Sequence, residues 1–166
     1  MCLDDLYLQD YKLHVVVAGK GKGIATYYKE NIFAPVTDIK EQNFQLSKFK
    51  SSQCDIISLY RSADSSYGEI TENLSQLINR RRATLIIGDF NFCYINSSQN
   101  VLKDFLHLLD FKQIIKAPTH IEGNLIDHAY IRDFNGTLKA KHFLHSKYYS
   151  DHKGLAVILG KGEAHL

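Results

Sequence analysis

Asp89 and Asn91, in Gly88-Asp89-Phe90-Asn91, follow directly on the apolar run Ala83–Ile87, and Ser150-Asp151-His152 precedes the apolar run Leu155–Leu159. A third element, Asp127 in Leu125-Ile126-Asp127-His128-Ala129-Tyr130-Ile131, falls between them. Carboxylates, an amide and an imidazole are thereby placed at the ends of predicted strands. Hydrolysing a phosphodiester needs an attacking water, a base for its proton, and positive charge over oxygens that gain negative charge. Asp89 and Asp151 can serve as base or hold a hard divalent cation, because magnesium prefers oxygen ligands. His152 can donate to a phosphate oxygen, and Asp127 is the candidate to hold its far nitrogen.

In this order the residues resemble the endonuclease/exonuclease/phosphatase superfamily, which includes abasic-site endonucleases, deoxyribonuclease I-like nucleases and the endonuclease domains of non-LTR retroelements. The resemblance runs from roughly Lys20 to Leu159 and is strongest over the second half. Gly21 to Lys29 is similar to a glycine-led hairpin strand of retroelement endonucleases, and Ile57 to Ser62 to a strand ending in a phosphate-contacting tyrosine. Pro118 to His128 resembles the loop and strand that carry a histidine-orienting aspartate in mobile-element copies.

The resemblance implies a role for each matching residue. Asp89 would activate the water, Asn91 would orient it or the phosphate, and Tyr60 would contact a phosphate oxygen. Asp151 would belong to a magnesium site, with manganese as a substitute, His152 would meet the scissile phosphate, and Asp127 would fix that imidazole. Thr119 would contact substrate; Lys20 and Lys22 on the glycine turn and Lys147 near Ser150 are, by their position, candidates for phosphate contact. The family's domain begins with a strand bearing a metal-associated asparagine, for which this chain starts too late. Asp5, in Cys2 to Leu8, stands where a metal-ligating glutamate is expected and is one methylene shorter. The expectation is one domain over 1–166, N-terminally incomplete, whose unpaired sheet edge recruits a second copy or is covered by a rearranged N-terminus.

Composition sets looser bounds. At 166 residues the chain suits one domain with a real core. Hydrophobic residues at 45% and charged residues at 23% exclude a disordered or fibrous class. A net charge of +2 is too small to imply nucleic acid by itself. No apolar run has the length of a membrane span and no signal peptide is visible, so membrane association is not expected. Cys2, Cys54 and Cys93 have no metal-like spacing, which suits free thiols and an intracellular protein. A DNA substrate would leave the nucleus open as its location.

The positioning elements can be read from periodicity. Lys12 to Ala18 and Gly23 to Lys29 read as strands about a glycine-rich turn, and Asn43 to Lys50 and Asp55 to Arg61 as a second pair. Ile70, Leu74, Leu77 and Ile78 form a helical stripe between Ser66 and about Arg82, with Ser65 or Ser66 as cap and Arg80-Arg81-Arg82 complementing the helix dipole at its end. Val101, Phe105, Leu108 and Leu109 mark a second helix, and three short strands follow. The pattern predicts an α+β fold, a two-layer β-sandwich flanked by helices, with its site along one edge of the sandwich.

Plainer readings stand beside these. Asp-Phe-Asn after a strand is also a common turn. Tyr60 also fits a half-buried strand aromatic. His120, His128, His142 and His145 lack zinc-like spacing and read as surface or strand-face residues. Cys93 reads as a small hydrophobe. Gly19, Gly21 and Gly23 lack the following helix that a phosphate-cradling loop needs. The expected activity is magnesium-dependent phosphodiester hydrolysis, endonuclease-like on DNA. A catalytically impaired remnant that binds or self-associates is the alternative. A phosphatase of the same superfamily is a third reading, against which the Thr119-to-Asp127 segment argues.

Overall fold

The computed structural model describes residues 8–19, 22–97, 99–136, 138–146 and 150–161. Twelve elements are defined among them. They are strands β1 (Lys12–Gly19), β2 (Lys22–Tyr28), β3 (Ala34–Lys40), β4 (Phe44–Lys50) and β5 (Cys54–Arg61), helix α1 (Tyr67–Leu77), strand β6 (Ala83–Asp89), helix α2 (Val101–Leu108), and strands β7 (Lys112–Gln113), β8 (Asp127–Arg132), β9 (Leu138–His145) and β10 (Gly154–Lys161). Six of the strands form one mixed sheet in the order β3-β4-β5-β6-β8-β7, and β1-β2 and β9-β10 are separate antiparallel hairpins. The architecture is the α+β sandwich with flanking helices that the strand and helix pattern predicts, its second layer made of two hairpins.

Alternation along the strands sorts side chains between the two faces of the large sheet. Ile57, Leu59, Ile86 and Tyr130 point to one face and pack with Ile70, Leu74 and Leu77 of α1 and Leu102 and Leu106 of α2. Ile56, Leu85, Ile87 and Ala129 point to the other and meet Leu144, Leu155, Val157 and Leu159 of the β9-β10 hairpin. The β1-β2 hairpin lies against β3, β4 and β5, with His14 and Tyr28 packed on the Phe49 ring at 5.4 and 5.2 Å. Burying each such aliphatic side chain contributes about 1.5–3 kcal/mol, so the layers are held mainly by these contacts.

Three local readings need correction. The first helix ends at Leu77, not near Arg82: Ile78 is extended, and no basic residue lies in the last turn. Asn79 supplies the stop, its carboxamide oxygen accepting from the Arg81 N–H at 2.9 Å. Arg82 instead binds the buried Asp55 carboxylate at 2.7 Å, opposite Lys48 at 3.0 Å. In α2 the buried residues are Leu102 and Leu106, whereas Leu108 is 84% exposed. Strand β3 has no counterpart in the sequence reading. It is an exposed edge strand with Pro35 beside a register shift, as proline in a sheet requires. No helix among the described residues is long and apolar enough to cross a membrane.

Candidate active site

Strand register builds the site. Tyr60 of β5 pairs with Asp89 of β6, and Asp89 pairs with Asp127 of β8. Residues paired across neighbouring strands share a face, so Tyr60, Asp89 and Asp127 form one row at the end of the sheet, on the side covered by the hairpins. Gly88 permits the row to close. Its φ is +151°, and a Cβ there would lie 1.8 Å from the carbonyl oxygen of Leu59, so any side chain would drive β6 from β5.

The turn after Asp89 is fixed from several sides. Asn91 has φ 50°, a left-handed conformation that asparagine tolerates. Its N–H donates to Asp89 Oδ1 at 2.9 Å. The N–H groups of Phe90 and Tyr94 donate to the carbonyls of Ile126 and Leu125, both at 2.9 Å, tying the turn to the approach to β8. Arg61 is buried on the helix-facing side and donates to the carbonyls of Phe90 and Asn91, both at 3.1 Å, while its guanidinium lies over the Tyr67 ring at 4.3 Å. Sequence reasoning overlooked Arg61. Its signal was present: a charged residue one past Tyr60 must point toward the core, where it needs several acceptors.

His152 stands over this row. Its Nδ1 lies 2.9 and 3.2 Å from the two oxygens of Asp127. A carboxylate can only accept, so Nδ1 carries hydrogen and Nε2 is the nitrogen left for a ligand. Burial lowers the imidazolium's acidity range, but Asp127, with Asp89 and Asp151 nearby, outweighs it and holds His152 above the ordinary histidine value. Asp89 is shifted up as well, by burial first and then by the Asp127 charge, against the Asn91 N–H, His152 and Arg61. The Asp89, Asp127 and His152 donor atoms all lie within 4.8 Å of one another.

A second group shares His152. His120, Asp151 and His152 also place donor atoms within 4.8 Å, with His120 Nε2 at 3.4 Å from Asp151 Oδ2. The main chain locks this loop: Ile121 N–H donates to the Asp151 carbonyl at 2.9 Å and Lys153 N–H to the Thr119 carbonyl at 2.7 Å. Asp151 is exposed and held low by its own backbone N–H and by His120. His120, read from sequence as a surface or strand-face residue, is therefore a side-chain partner of the expected metal ligand.

The remaining candidates separate. Thr119 is fully buried, and its hydroxyl oxygen accepts from the N–H groups of Ile126 and Asp127 at 3.1 and 3.0 Å. Through these two bonds it shapes the start of β8. Tyr60 is half-buried at the end of the row. Lys22 reaches Asn43 Oδ1 at 3.5 Å, and the Asn43 carbonyl binds Ser62 just past β5, so the start of β2 lies beside the same sheet end. Asp5, Lys20 and Lys147 lie outside the described residues. His128 is fully buried, stacked on Phe90 with ring centroids 4.6 Å apart, and burial lowers it to about 4. Cys54 and Cys93 are free thiols, buried and half-buried.

No family model matches the chain, and no curated protein matches it. Solved structures do. The endonuclease domain of TRAS1, a telomere-specific non-LTR retrotransposon, superposes with a TM-score of 0.68 at 14% identity, over 92% of this chain and 79% of that one. An endonuclease/exonuclease/phosphatase family protein from Leptotrichia buccalis gives 0.61 at 16% identity, over 95% and 75% of the two chains. The Haemophilus ducreyi cytolethal distending toxin gives 0.53 at 18% identity, over 82% and 61%. At such identities the likeness is one of fold: the chain has the deoxyribonuclease I-like fold of the endonuclease/exonuclease/phosphatase proteins.

Proposed function

We propose that this chain is a metal-dependent phosphodiesterase that cuts DNA as an endonuclease. The observation that carries the reading is the row Tyr60, Asp89, Asp127 across three paired strands, with His152 held on Asp127 at 2.9 Å. A row of strand pairings is expensive to assemble by accident, because each member must fall on the same parity. The resemblance of the motifs and the retrotransposon endonuclease among the fold neighbours support the same reading.

The donor set suits a hard divalent cation. Asp89 is kept above the usual carboxylate range by burial and by a second carboxylate beside it, a conflict that a cation relieves. Asp151, beside His120 and His152, would hold magnesium, or manganese, which when bound would supply positive charge over the phosphate oxygens. The chain's own groups do the rest. Asp89 takes the proton of the attacking water, and Asn91, fixed by its own N–H to Asp89, orients water or phosphate. His152 donates from Nε2 to a phosphate oxygen, with Asp127 holding the ring and favouring its charged form. Tyr60 binds a further oxygen, and Lys22 contacts the strand backbone without reading its sequence.

A second reading, an impaired remnant that binds or self-associates, is favoured by one observation. Among the described residues β10 pairs with β9 alone, which leaves an edge for a second copy. Nicking of supercoiled plasmid with magnesium, manganese or chelator, compared with His152→Ala, decides between them. Metal-dependent nicking lost in the variant supports the nuclease; folded protein that nicks under no condition supports the remnant, and its mass in solution then tests self-association.

A further inference from the structure

Two histidines are brought side by side at the Asp151 loop. His120 and His152 pair in an isolated antiparallel bridge, which turns both side chains to one side of the main chain. Their ring centroids are 5.2 Å apart with planes at 83°. The bonds from Ile121 N–H to the Asp151 carbonyl and from Lys153 N–H to the Thr119 carbonyl close the bridge, so the spacing of the imidazoles is set before any ligand arrives. Asp151 adds its carboxylate, and the donor atoms of all three lie within 4.8 Å of one another.

Each imidazole also has a carboxylate behind it at Nδ1: Asp127 at 2.9 Å for His152 and Glu122 at 3.8 Å for His120. Such a carboxylate is the usual outer partner of a metal-bound histidine, because it fixes the ring and leaves Nε2 as the ligand. The exposed Glu122 N–H, 3.3 Å from the same nitrogen of His120, turns to water when that nitrogen carries hydrogen. His120 Nε2 lies 3.4 Å from Asp151 Oδ2. That is long beside the roughly 2.7–3.2 Å of a hydrogen bond. It is the separation of two ligands that each lie about 2.0–2.2 Å from one tetrahedral ion. Magnesium would use the Asp151 oxygen and water; two imidazole nitrogens add what only a softer, borderline ion uses.

We infer that His120, Asp151 and His152 form a three-ligand zinc site, with water in the fourth position, and that zinc bound there draws His152 Nε2 away from the phosphate. The site stands on its own geometry; its effect on cleavage rests on the nuclease reading. Zinc and magnesium then compete for Asp151, and cleavage is held off while zinc is bound.

Cobalt(II) serves as the probe for zinc, because four-coordinate cobalt absorbs visible light. The untagged full chain is titrated with cobalt as parent, His120→Ala, His120→Gln and Asp89→Asn, with circular dichroism confirming the fold of each. A visible band in the parent that zinc displaces and excess magnesium does not, with affinity weakened about tenfold or more in both His120 variants and kept in Asp89→Asn, supports the site. No band in the parent, equal bands with and without His120, or a band lost with Asp89 instead overturns it. Plasmid nicking in magnesium by the same preparations reads the consequence. Zinc should stop the parent, and His120→Ala, measured against its own rate without zinc, should need about tenfold more zinc; equal sensitivity overturns the link to cleavage. A parent that nicks but shows no cobalt band removes the zinc site and leaves the nuclease. A silent parent whose band depends on His120 removes the nuclease reading and leaves the metal site.

Discussion

His128 makes the structure sensitive to acid in a way that can be calculated. The ring is 0% exposed, lies among Phe90, Phe92 and Tyr94, and has Nε2 at 3.0 and 3.2 Å from the carbonyls of Leu125 and Phe92. Burial lowers its pKa from 6.5 to about 4. The folded state therefore resists a proton that the unfolded chain takes up readily. The stability it protects is complete above pH 6.5 and is lost as pH falls toward 4. At about 1.4 kcal/mol per unit, the full loss is about 3 kcal/mol, of which about 2 kcal/mol falls between pH 7.5 and 5. His128→Gln keeps a donor for the two carbonyls and removes the titration. Denaturant unfolding in chelator, at pH 7.5 and 5, should show the parent losing about 2 kcal/mol more than the variant between those values. Equal losses would show that His128 does not titrate in this window and would refute the burial argument.

Three further outcomes follow from single contacts. Gly88→Ala should cost at least about 3 kcal/mol or prevent folding, because the added Cβ meets the Leu59 carbonyl; an unshifted Tm would contradict the strand approach. Thr119→Val leaves two backbone donors at Ile126 and Asp127 unmet, so it should lower stability by about 2 kcal/mol. With cleavage measured, kcat should fall more than KM rises; the reverse pattern with full stability would support a direct substrate contact. Arg82→Ala exposes the buried Asp55 to one cation instead of two and should destabilise by more than about 1 kcal/mol. Arg80→Ala should be neutral in the same melt, whereas equal effects would favour the helix-end reading of the arginine run.

Much of the fold was legible because two periods, two and 3.6, recur cleanly around turn residues. The run before Gly88 and the stripe Ile70, Leu74 and Leu77 each bury the side they predict. Boundaries were less legible: the stripe continued through Ile78, which is buried at 7% exposure from an extended conformation, so hydrophobicity alone could not end α1 at Leu77. Strand β3 was invisible because an exposed edge strand has no apolar alternation. At the site, Asp89, Asp127 and His152 were legible as strand-end polar residues, and the structure brings them together. The role of Thr119 was not legible, because a hydroxyl beside a motif looks the same whether it meets a ligand or its own backbone, to which it is bonded here. The inward parity of Arg61 was legible but its partners Phe90 and Asn91 were not, and His120 was missed because its partner Asp151 is distant in sequence.

The central claim is that Asp127 and His152 act as one unit at the end of the Asp89 row. Single-turnover cleavage of a labelled DNA duplex with saturating magnesium would measure it directly, using Asp127→Ala, His152→Ala and the double variant. Residues that work as a unit are strongly non-additive. The account predicts that His152→Ala removes at least about a hundredfold in rate, in line with the loss of one charge-stabilising donor. The double variant should then be no slower than that single one. Additive losses, or a His152→Ala protein as fast as the parent, would contradict it.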